Sequence, residues 1–119
     1  MEHKLKAWVV FPGGTKFGEG RAELLQLVES EGSLNKAVKR MGMSYRAAWG
    51  YLRELEQASG LTLVESDVAG TRLTPEGRAF LAAYEAFRAR VDRCAEEAFE
   101  EAFAEALRAA RAPSRRTAQ

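Results

Sequence analysis

Three residues near the middle of the chain have types and spacing suited to contact with a polyanion. Arg46, Gly50 and Arg53 are four and three positions apart, so in a helix they share one face. Arginine reads guanine in the major groove of DNA. A glycine in a helix interior costs about 1 kcal/mol relative to alanine, and its missing side chain lets DNA or another helix approach the backbone closely. The pattern therefore indicates a recognition face, unless Gly50 only relieves packing inside the protein.

The charges of the chain are unevenly distributed, although the net charge is +1. Residues 33–53 contain five basic residues and no acidic one, whereas residues 96–105 contain five glutamates and no basic residue. Local clusters of this kind create the electric field that a nucleic acid experiences. The charge pattern alone is equally consistent with ordinary solvated helix faces.

Capping residues on either side of this region predict a helix-turn-helix. Ser33 and Ser44 are suitable N-caps, and Gly42 suits a helix end with positive φ. The second of the two helices is expected to run from about Tyr45 to Ser59, with apolar residues on the side opposite Arg46. Two helices joined by a very short glycine-containing turn match the helix-turn-helix signature.

Flanking segments predict the rest of a winged domain. Residues 4–11 are typical of a strand, and residues 18–32 carry leucines and a valine at helical spacing. After the helix-turn-helix, residues 61–65 and 71–73 favour two short strands with a turn between them. A hairpin in this position is a wing. The expected fold class is mainly α with a small β component, a winged helix-turn-helix followed by a long C-terminal helix.

The last helix is predicted to form a dimer interface. Thr74 is a good N-cap and Pro75 suits the first helical position, so the helix is expected to span roughly 38 residues, or about 57 Å. Apolar residues alternate by four and three positions along it, at Phe80, Tyr84, Phe87, Val91, Cys94 and Ala98. This seam is wider than one small domain covers, so we expect a homodimer. The alternative is a helix folded back along its own domain.

The sequence thus predicts three consecutive segments. A winged helix-turn-helix domain is expected at residues 1–77 and a dimerisation helix at residues 78–112. Residues 113–119 are expected to form a disordered tail, as chain ends often do.

The start of the third helix resembles a known family. Ser44-Tyr45-Arg46-Ala47-Ala48-Trp49 is similar to the Ser-Tyr-Arg-x-Ala-Trp signature in the DNA-binding domain of ModE-type molybdate-responsive regulators. Leu73-Thr74-Pro75-Glu76-Gly77 is similar to the start of the last helix in that domain and in the related LysR-type domain. The resemblance covers about residues 5–90 and implies a winged helix-turn-helix that binds duplex DNA.

Two features depart from the ModE pattern. The wing is short and contains Glu65 and Asp67, with Arg72 as its one basic residue, whereas a wing that reaches over a phosphate backbone should not be acidic. We therefore expect no strong wing contacts with DNA. The family's molybdate-binding domains would follow the last helix, and the chain ends at Gln119. We therefore expect no molybdate site in this chain.

Together these observations predict a sequence-specific transcriptional regulator that binds duplex DNA as a homodimer. The residues expected to contact DNA are Ser33, Lys36, Lys39, Ser44, Tyr45, Arg46, Ala47, Gly50, Arg53 and Arg72. The alternative is a winged-helix module that binds another protein and no DNA, which the acidic wing favours.

Other function classes lack their sequence signatures. The single histidine, His3, is near the N-terminus and the single cysteine, Cys94, lies on the apolar seam, so we expect no catalytic group, no metal site and no cofactor. No apolar run approaches the ~20 residues of a membrane span. The lone cysteine and the lack of a signal peptide predict a cytoplasmic protein that does not associate with membranes.

Overall fold

A computed structural model describes residues 1–110, and the predicted tail at 113–119 lies outside the described residues. The elements follow in the order β1 (Val9–Val10), β2 (Lys16–Phe17), α1 (Glu19–Glu31), α2 (Leu34–Met41), α3 (Tyr45–Ser59), β3 (Val64–Asp67), β4 (Gly70–Leu73) and α4 (Pro75–Ala110). Each pair of strands forms an antiparallel hairpin. The predicted class, mainly α with a winged helix-turn-helix and a long last helix, is confirmed. None of the helices in residues 1–110 combines the length and apolar character needed to cross a bilayer.

The chain forms two compact units, and α4 contributes residues to both. One unit is Lys6–Ala86, and the other contains, among the described residues, Met1–Leu5 and residues 87–110. The first unit therefore extends along α4 beyond residue 77, the domain boundary predicted from the sequence.

The ends of the helices are set by local hydrogen bonds, as the sequence predicts. The Ser33 hydroxyl oxygen accepts a hydrogen bond from the Lys36 amide at 3.3 Å, and that of Ser44 accepts one from the Ala47 amide at 3.0 Å. Gly42 ends α2 with φ of 67°, a left-handed conformation that only glycine adopts without strain. With Gly42 in this conformation, the chain turns between the two helices within three residues.

The core of the first unit is built from one side of each helix and the inner side of both hairpins. Its fully buried large side chains are Phe17, Leu24, Leu25, Val28, Leu34, Leu52, Leu55, Leu63 and Leu73. Burying one such side chain contributes roughly 1.5–3 kcal/mol. This core fixes the backbone of α2 and α3, which carry most of the predicted contact residues.

Phe80 and Tyr84, assigned to the dimer seam from the sequence, are instead packed in this unit. Tyr84 is 6% exposed, and its hydroxyl donates a hydrogen bond to the Ala7 carbonyl at 3.1 Å. Both rings contact Phe17 edge-on, with ring centroids 4.8 Å and 4.9 Å from it. Apolar residues spaced by three and four positions show that one face of the helix is covered, but they do not show what covers it. The core of the same unit covers that face at Phe80 and Tyr84. The exposed part of the seam therefore begins at Phe87.

The two hairpins differ from the predicted strands in extent. Only Val9–Val10 of the predicted strand 4–11 pairs, and its partner Lys16–Phe17 was not predicted. In the wing, β3 begins at Val64 because the backbone groups of the preceding residue are hydrogen bonded to partners outside the hairpin ladder. The amides of Leu63 and Val64 donate to the Glu56 carboxylate at 2.7 Å and 3.3 Å, and the Leu63 carbonyl accepts from the Thr74 amide at 3.0 Å.

Candidate nucleic-acid interface

Helix α3 has a buried face and an exposed face on opposite sides. Ala48, Leu52 and Leu55 are at most 2% exposed. The predicted recognition residues Arg46, Gly50 and Arg53 are all exposed on the other side. This division is what a recognition helix requires, because one face must pack while the other enters a groove about 12 Å wide.

Gln57 extends the same face, although it is not among the contact residues predicted from the sequence. It is exposed and lies four positions after Arg53 and seven after Gly50, so the helical repeat places it in line with them. An amide side chain of this kind donates and accepts hydrogen bonds with bases or phosphates. The signal was present in the spacing, but an uncharged residue near the helix end did not stand out.

Gly50 has open space where its side chain would be. A Cβ built on it meets no atom of the described residues within 4 Å. The alternative raised above, in which this glycine relieves internal packing, is therefore wrong. Its cost to the helix, about 1 kcal/mol relative to alanine, has no intramolecular compensation among residues 1–110.

Helix α2, which directly precedes α3 in the sequence, carries two lysines whose positive charge is unpaired within residues 1–110. Lys36 and Lys39 are exposed, and neither makes an ion pair within the part of the chain that the structure describes. The third cation of this helix, Arg40, differs from them because its guanidinium lies 3.6 Å from the Glu31 carboxylate. The two lysines are therefore free to contact phosphates, whereas the charge of Arg40 is already partly neutralised.

Aromatic rings support the exposed arginine at the middle of α3. The Arg53 guanidinium lies 5.7 Å from the centroid of the Trp49 ring, within the range of a cation–π interaction. Tyr45 packs edge-on against the same ring at 6.3 Å, and its own side chain is 47% exposed. Trp49 is thus a half-buried support for Arg53, and Tyr45 remains accessible from solvent.

The remaining predicted residues of the two helices have mainly local roles. Ser33 and Ser44 cap α2 and α3 through their oxygens. Each hydroxyl keeps its proton for donation to an outside acceptor. Ala47 is partly buried beside the exposed face. These three residues therefore define the first turns of α2 and α3, whereas the charged side chains available to a ligand come from residues further along the two helices.

The wing holds its one arginine in an internal ion cluster. Arg72 Nη2 and Nη1 donate to the two carboxylate oxygens of Asp67 at 2.8 Å and 3.3 Å, and Nε donates to Glu65 at 3.1 Å. The hydrogen bond from Arg72, and next to it the Ala69 amide, lower the pKa of Asp67. The same Asp67 contact raises the pKa of Arg72. Arg72, predicted to contact DNA, is therefore already paired in the hairpin.

Replacing Arg72 by glutamine is expected to raise the pKa of Asp67 towards the ordinary value of an aspartate, because it removes the hydrogen bond that is the main cause of the lowering. Because the folded-state pKa is lowered, the pair stabilises the hairpin above the unfolded-state pKa, and this contribution is lost as the pH falls through the folded-state pKa. Titration of the carboxyl carbon by NMR in both proteins measures the shift. An unchanged midpoint would mean that the Asp67–Arg72 pair is not formed in solution.

The remaining predicted dimer residues belong to the second unit, where Val91 is half-buried and the others are exposed. Phe87 is 43% exposed, and with Val91, Cys94 and Ala95 it lines an open apolar groove along α4. Ala98, the last predicted seam residue, is also exposed.

Residues Met1–Leu5 lie along a neighbouring face of the same helix. Arg88 donates to the Leu5 carbonyl at 3.2 Å. His3 Nδ1 lies 3.2 Å from the Glu96 carboxylate, and its ring packs at 5.1 Å from Phe99. The groove that starts at Phe87 is left open by these contacts.

Comparison with known proteins agrees with this arrangement. Residues 21–78 match the family described as bacterial regulatory helix-turn-helix protein, lysR family. Over 92 residues the chain is 34% identical to the molybdenum transport protein ModE of Azotobacter vinelandii, covering 70% of this chain and 34% of that protein. Over 83 residues it is 31% identical to the molybdenum-pterin-binding protein MopB of Rhodobacter capsulatus, covering 66% of this chain and 31% of that protein. The chain thus spans about a third of the length of these relatives.

Solved structures share the fold. The CbnR DNA-binding domain in its DNA complex aligns with a TM-score of 0.59 and 24% identity, over 70% of this chain and 95% of that one. The BenM DNA-binding domain in complex with benA site 1 DNA aligns with a TM-score of 0.56 and 21% identity, over 68% of this chain and 94% of that one. The family match and the two relatives support a helix-turn-helix DNA-binding domain of ModE type, similar to the lysR family over residues 21–78, and the solved structures show the same fold.

Proposed function

We propose that the protein is a transcriptional regulator that binds specific sequences of duplex DNA as a homodimer. The observation that carries the proposal is the exposed face of α3, where Arg46, Gly50 and Arg53 lie opposite the buried leucines. Arg46 is in the first turn of that helix, where recognition helices make base contacts. The solved neighbours CbnR and BenM are DNA-binding domains in complex with DNA, which supports the same use of this fold.

The charges around α3 support contact with the DNA backbone. Lys36 and Lys39 are exposed and unpaired within residues 1–110, and lysines of this kind neutralise phosphates and release counterions.

Family and fold are those of transcriptional regulators, not of enzymes. We place the protein in the cytoplasm because a bacterial regulator of this kind meets its DNA there.

Replacing Arg46 by alanine is expected to cost on the order of 1–3 kcal/mol of binding and to relax the base preference at one position. Replacing Lys36 or Lys39 is expected to weaken binding to all sequences alike and to flatten the salt dependence by about one phosphate contact. Fluorescence anisotropy with labelled duplexes, titrated with salt, measures both effects. Arg40→Ala is the control on the same helix, because Arg40 is paired with Glu31, and we expect it to change binding less.

Gly50→Ala is expected to have opposite effects on stability and on binding. Alanine is favoured in a helix by up to about 1 kcal/mol, and the open space at Gly50 accommodates its methyl group, so the melting temperature should rise. The added methyl separates α3 from the DNA, so we expect affinity to fall on the order of tenfold, or about 1.4 kcal/mol.

Gly20→Ala is the control, since Gly20 is a helical glycine of α1 that also faces open space. It is expected to leave DNA affinity unchanged. If Gly50→Ala binds DNA as tightly as the unmodified protein, the face of α3 is not in close contact with DNA.

The homodimer is proposed from the second unit. An open groove lined by Phe87, Val91 and Cys94 follows α4, and an exposed apolar stripe of this kind on a long helix is typical of helix pairing. A second copy provides the same stripe, so one two-fold contact covers both. Two recognition helices related in this way read adjacent major grooves when they lie about 34 Å apart, which predicts a nearly palindromic operator.

A winged-helix module that binds a protein and no DNA is the second candidate. The outer side of the wing favours it, because Glu65 and Asp67 outnumber Arg72 there. Binding to random-sequence duplex that weakens steeply with salt supports the DNA-binding function. If no salt-dependent binding to any duplex is seen, the protein-binding module is the correct alternative.

A further inference from the structure

The outer face of the wing carries one ion cluster and nothing else that is charged. In the β3–β4 register Glu65 pairs with Arg72 and Asp67 pairs with Gly70, so Glu65, Asp67 and Arg72 point to the same side. On the other side, Ser66 and Thr71 are hydrogen bonded to each other at 3.0 Å. Val64 and Leu73 there are buried in the core. The outer face therefore has two carboxylates and one guanidinium, all within reach of a ligand that meets the wing.

The arginine in this cluster remains accessible. The side chain of Arg72 is 42% exposed, yet Nε, Nη1 and Nη2 all donate to carboxylates. A phosphate accepts hydrogen bonds from a guanidinium in the same forked geometry as a carboxylate. A DNA phosphate can therefore replace a carboxylate without any change in the backbone of the hairpin.

Asp67 holds Arg72 more firmly than Glu65 does. Both oxygens of Asp67 accept from Arg72, and one of them also accepts from the Ala69 amide at 2.8 Å. This second bond fixes the carboxylate in the turn, where it cannot follow Arg72 away from the hairpin. Glu65 makes a single contact at 3.1 Å from a longer side chain.

We propose that Asp67 withholds Arg72 from the DNA backbone, and that Arg72 exchanges the Asp67 carboxylate for a phosphate when the wing meets DNA. The inference rests on the proposed DNA-binding function and goes beyond it, because it makes Asp67 a residue that sets affinity without touching DNA. The acidic wing then lowers the affinity for all sequences equally. Discrimination between sequences is left to α3.

The test compares Asp67→Asn, Arg72→Gln and the double variant for binding to a random-sequence duplex over a salt titration. Asparagine keeps the oxygen that accepts from Ala69 and removes the charge, so the turn is preserved. We expect Asp67→Asn to bind about fivefold more tightly at moderate salt and with a salt dependence steeper by about one phosphate contact. Glu23→Gln removes the same charge from an exposed position on α1 and controls for net charge. We expect no comparable gain from it.

The double variant separates withholding from simple repulsion. If Asp67 acts by holding Arg72, the gain from Asp67→Asn shrinks when Arg72 is already glutamine, because only direct repulsion of phosphates by the unpaired carboxylate is left to remove. If Asp67 acts only by repelling phosphates, the gain is undiminished or larger in that background, and the proposal is wrong. Equal affinities of Asp67→Asn and the unmodified protein also overturn it. Absence of salt-dependent DNA binding by the unmodified protein overturns the proposed function itself, and this inference with it.

Discussion

Replacing Gly77 by alanine is expected to lower the free energy of unfolding by about 2 kcal/mol or more, and the melting temperature on the order of 10 °C. Gly77 is buried in the first turn of α4, and a Cβ there would overlap the carbonyl oxygen of Leu63. That oxygen cannot retreat freely, because it accepts from the Thr74 amide at 3.0 Å. The Thr74 hydroxyl also donates to the Thr62 carbonyl at 2.5 Å and accepts from the Gly77 amide at 2.9 Å. The helix start is thus held against residues 62–63 at a distance that only glycine permits.

Thermal unfolding followed by circular dichroism measures this effect, and two other helical glycines provide controls. Gly20→Ala and Gly50→Ala place the same methyl group in open space, so helix propensity alone should keep or raise the stability of those variants. We therefore expect the same substitution to lower the free energy of unfolding at Gly77 and to keep or raise it at Gly20 and Gly50. Equal stabilities of the three variants would show that α4 does not approach Leu63 as closely as described.

Replacing both Phe87 and Val91 by glutamate is expected to convert the protein to a monomer. In a symmetric dimer this change places four carboxylates in an apolar contact and removes four apolar side chains. Burying one large apolar side chain contributes roughly 1.5–3 kcal/mol, and the dimer loses this contribution. Specific DNA affinity should fall by several orders of magnitude, because two half-sites are no longer bound together. Binding to random-sequence DNA by one recognition helix should persist at a lower level.

Sedimentation equilibrium at micromolar concentration measures the oligomeric state of this variant. Ala89→Glu is the control, because Ala89 is exposed and lies between the two replaced residues in sequence but on the opposite side of the helix. It should leave the dimer intact. If the unmodified protein is itself a monomer, or the double variant remains a dimer, the stripe that starts at Phe87 is not the interface and the palindromic operator is no longer expected.

The sequence by itself determined the features that depend on neighbouring residues. Serines at the N-caps and glycines at the helix ends act within one turn of the chain, so the bounds of α2 and α3 were predicted from Ser33, Gly42 and Ser44 and confirmed. The same holds for the two faces of α3, because a helical repeat fixes which residues share a side once the helix exists. The prediction of α3 as the recognition helix, with Arg46 and Arg53 on its exposed face, therefore required no tertiary information.

Only the tertiary structure decided which partner covers each apolar or charged side chain. Phe80, Tyr84 and Phe87 follow one spacing, yet the first two pack in the core and the third is exposed, because Phe17 and the Ala7 carbonyl lie beside only the first part of α4. Contacts between residues this far apart in sequence leave no periodic signal.

The glycines show the same division. Gly50 and Gly77 are both helical glycines, yet one faces open space and the other the backbone of Leu63. The charges in the wing show this division as well. The sequence gives no sign that Arg72 has a partner, whereas in the structure it is paired with Asp67 across the hairpin. Local capping and helical repeat are encoded in consecutive residues, whereas burial and charge pairing depend on segments that only folding brings together.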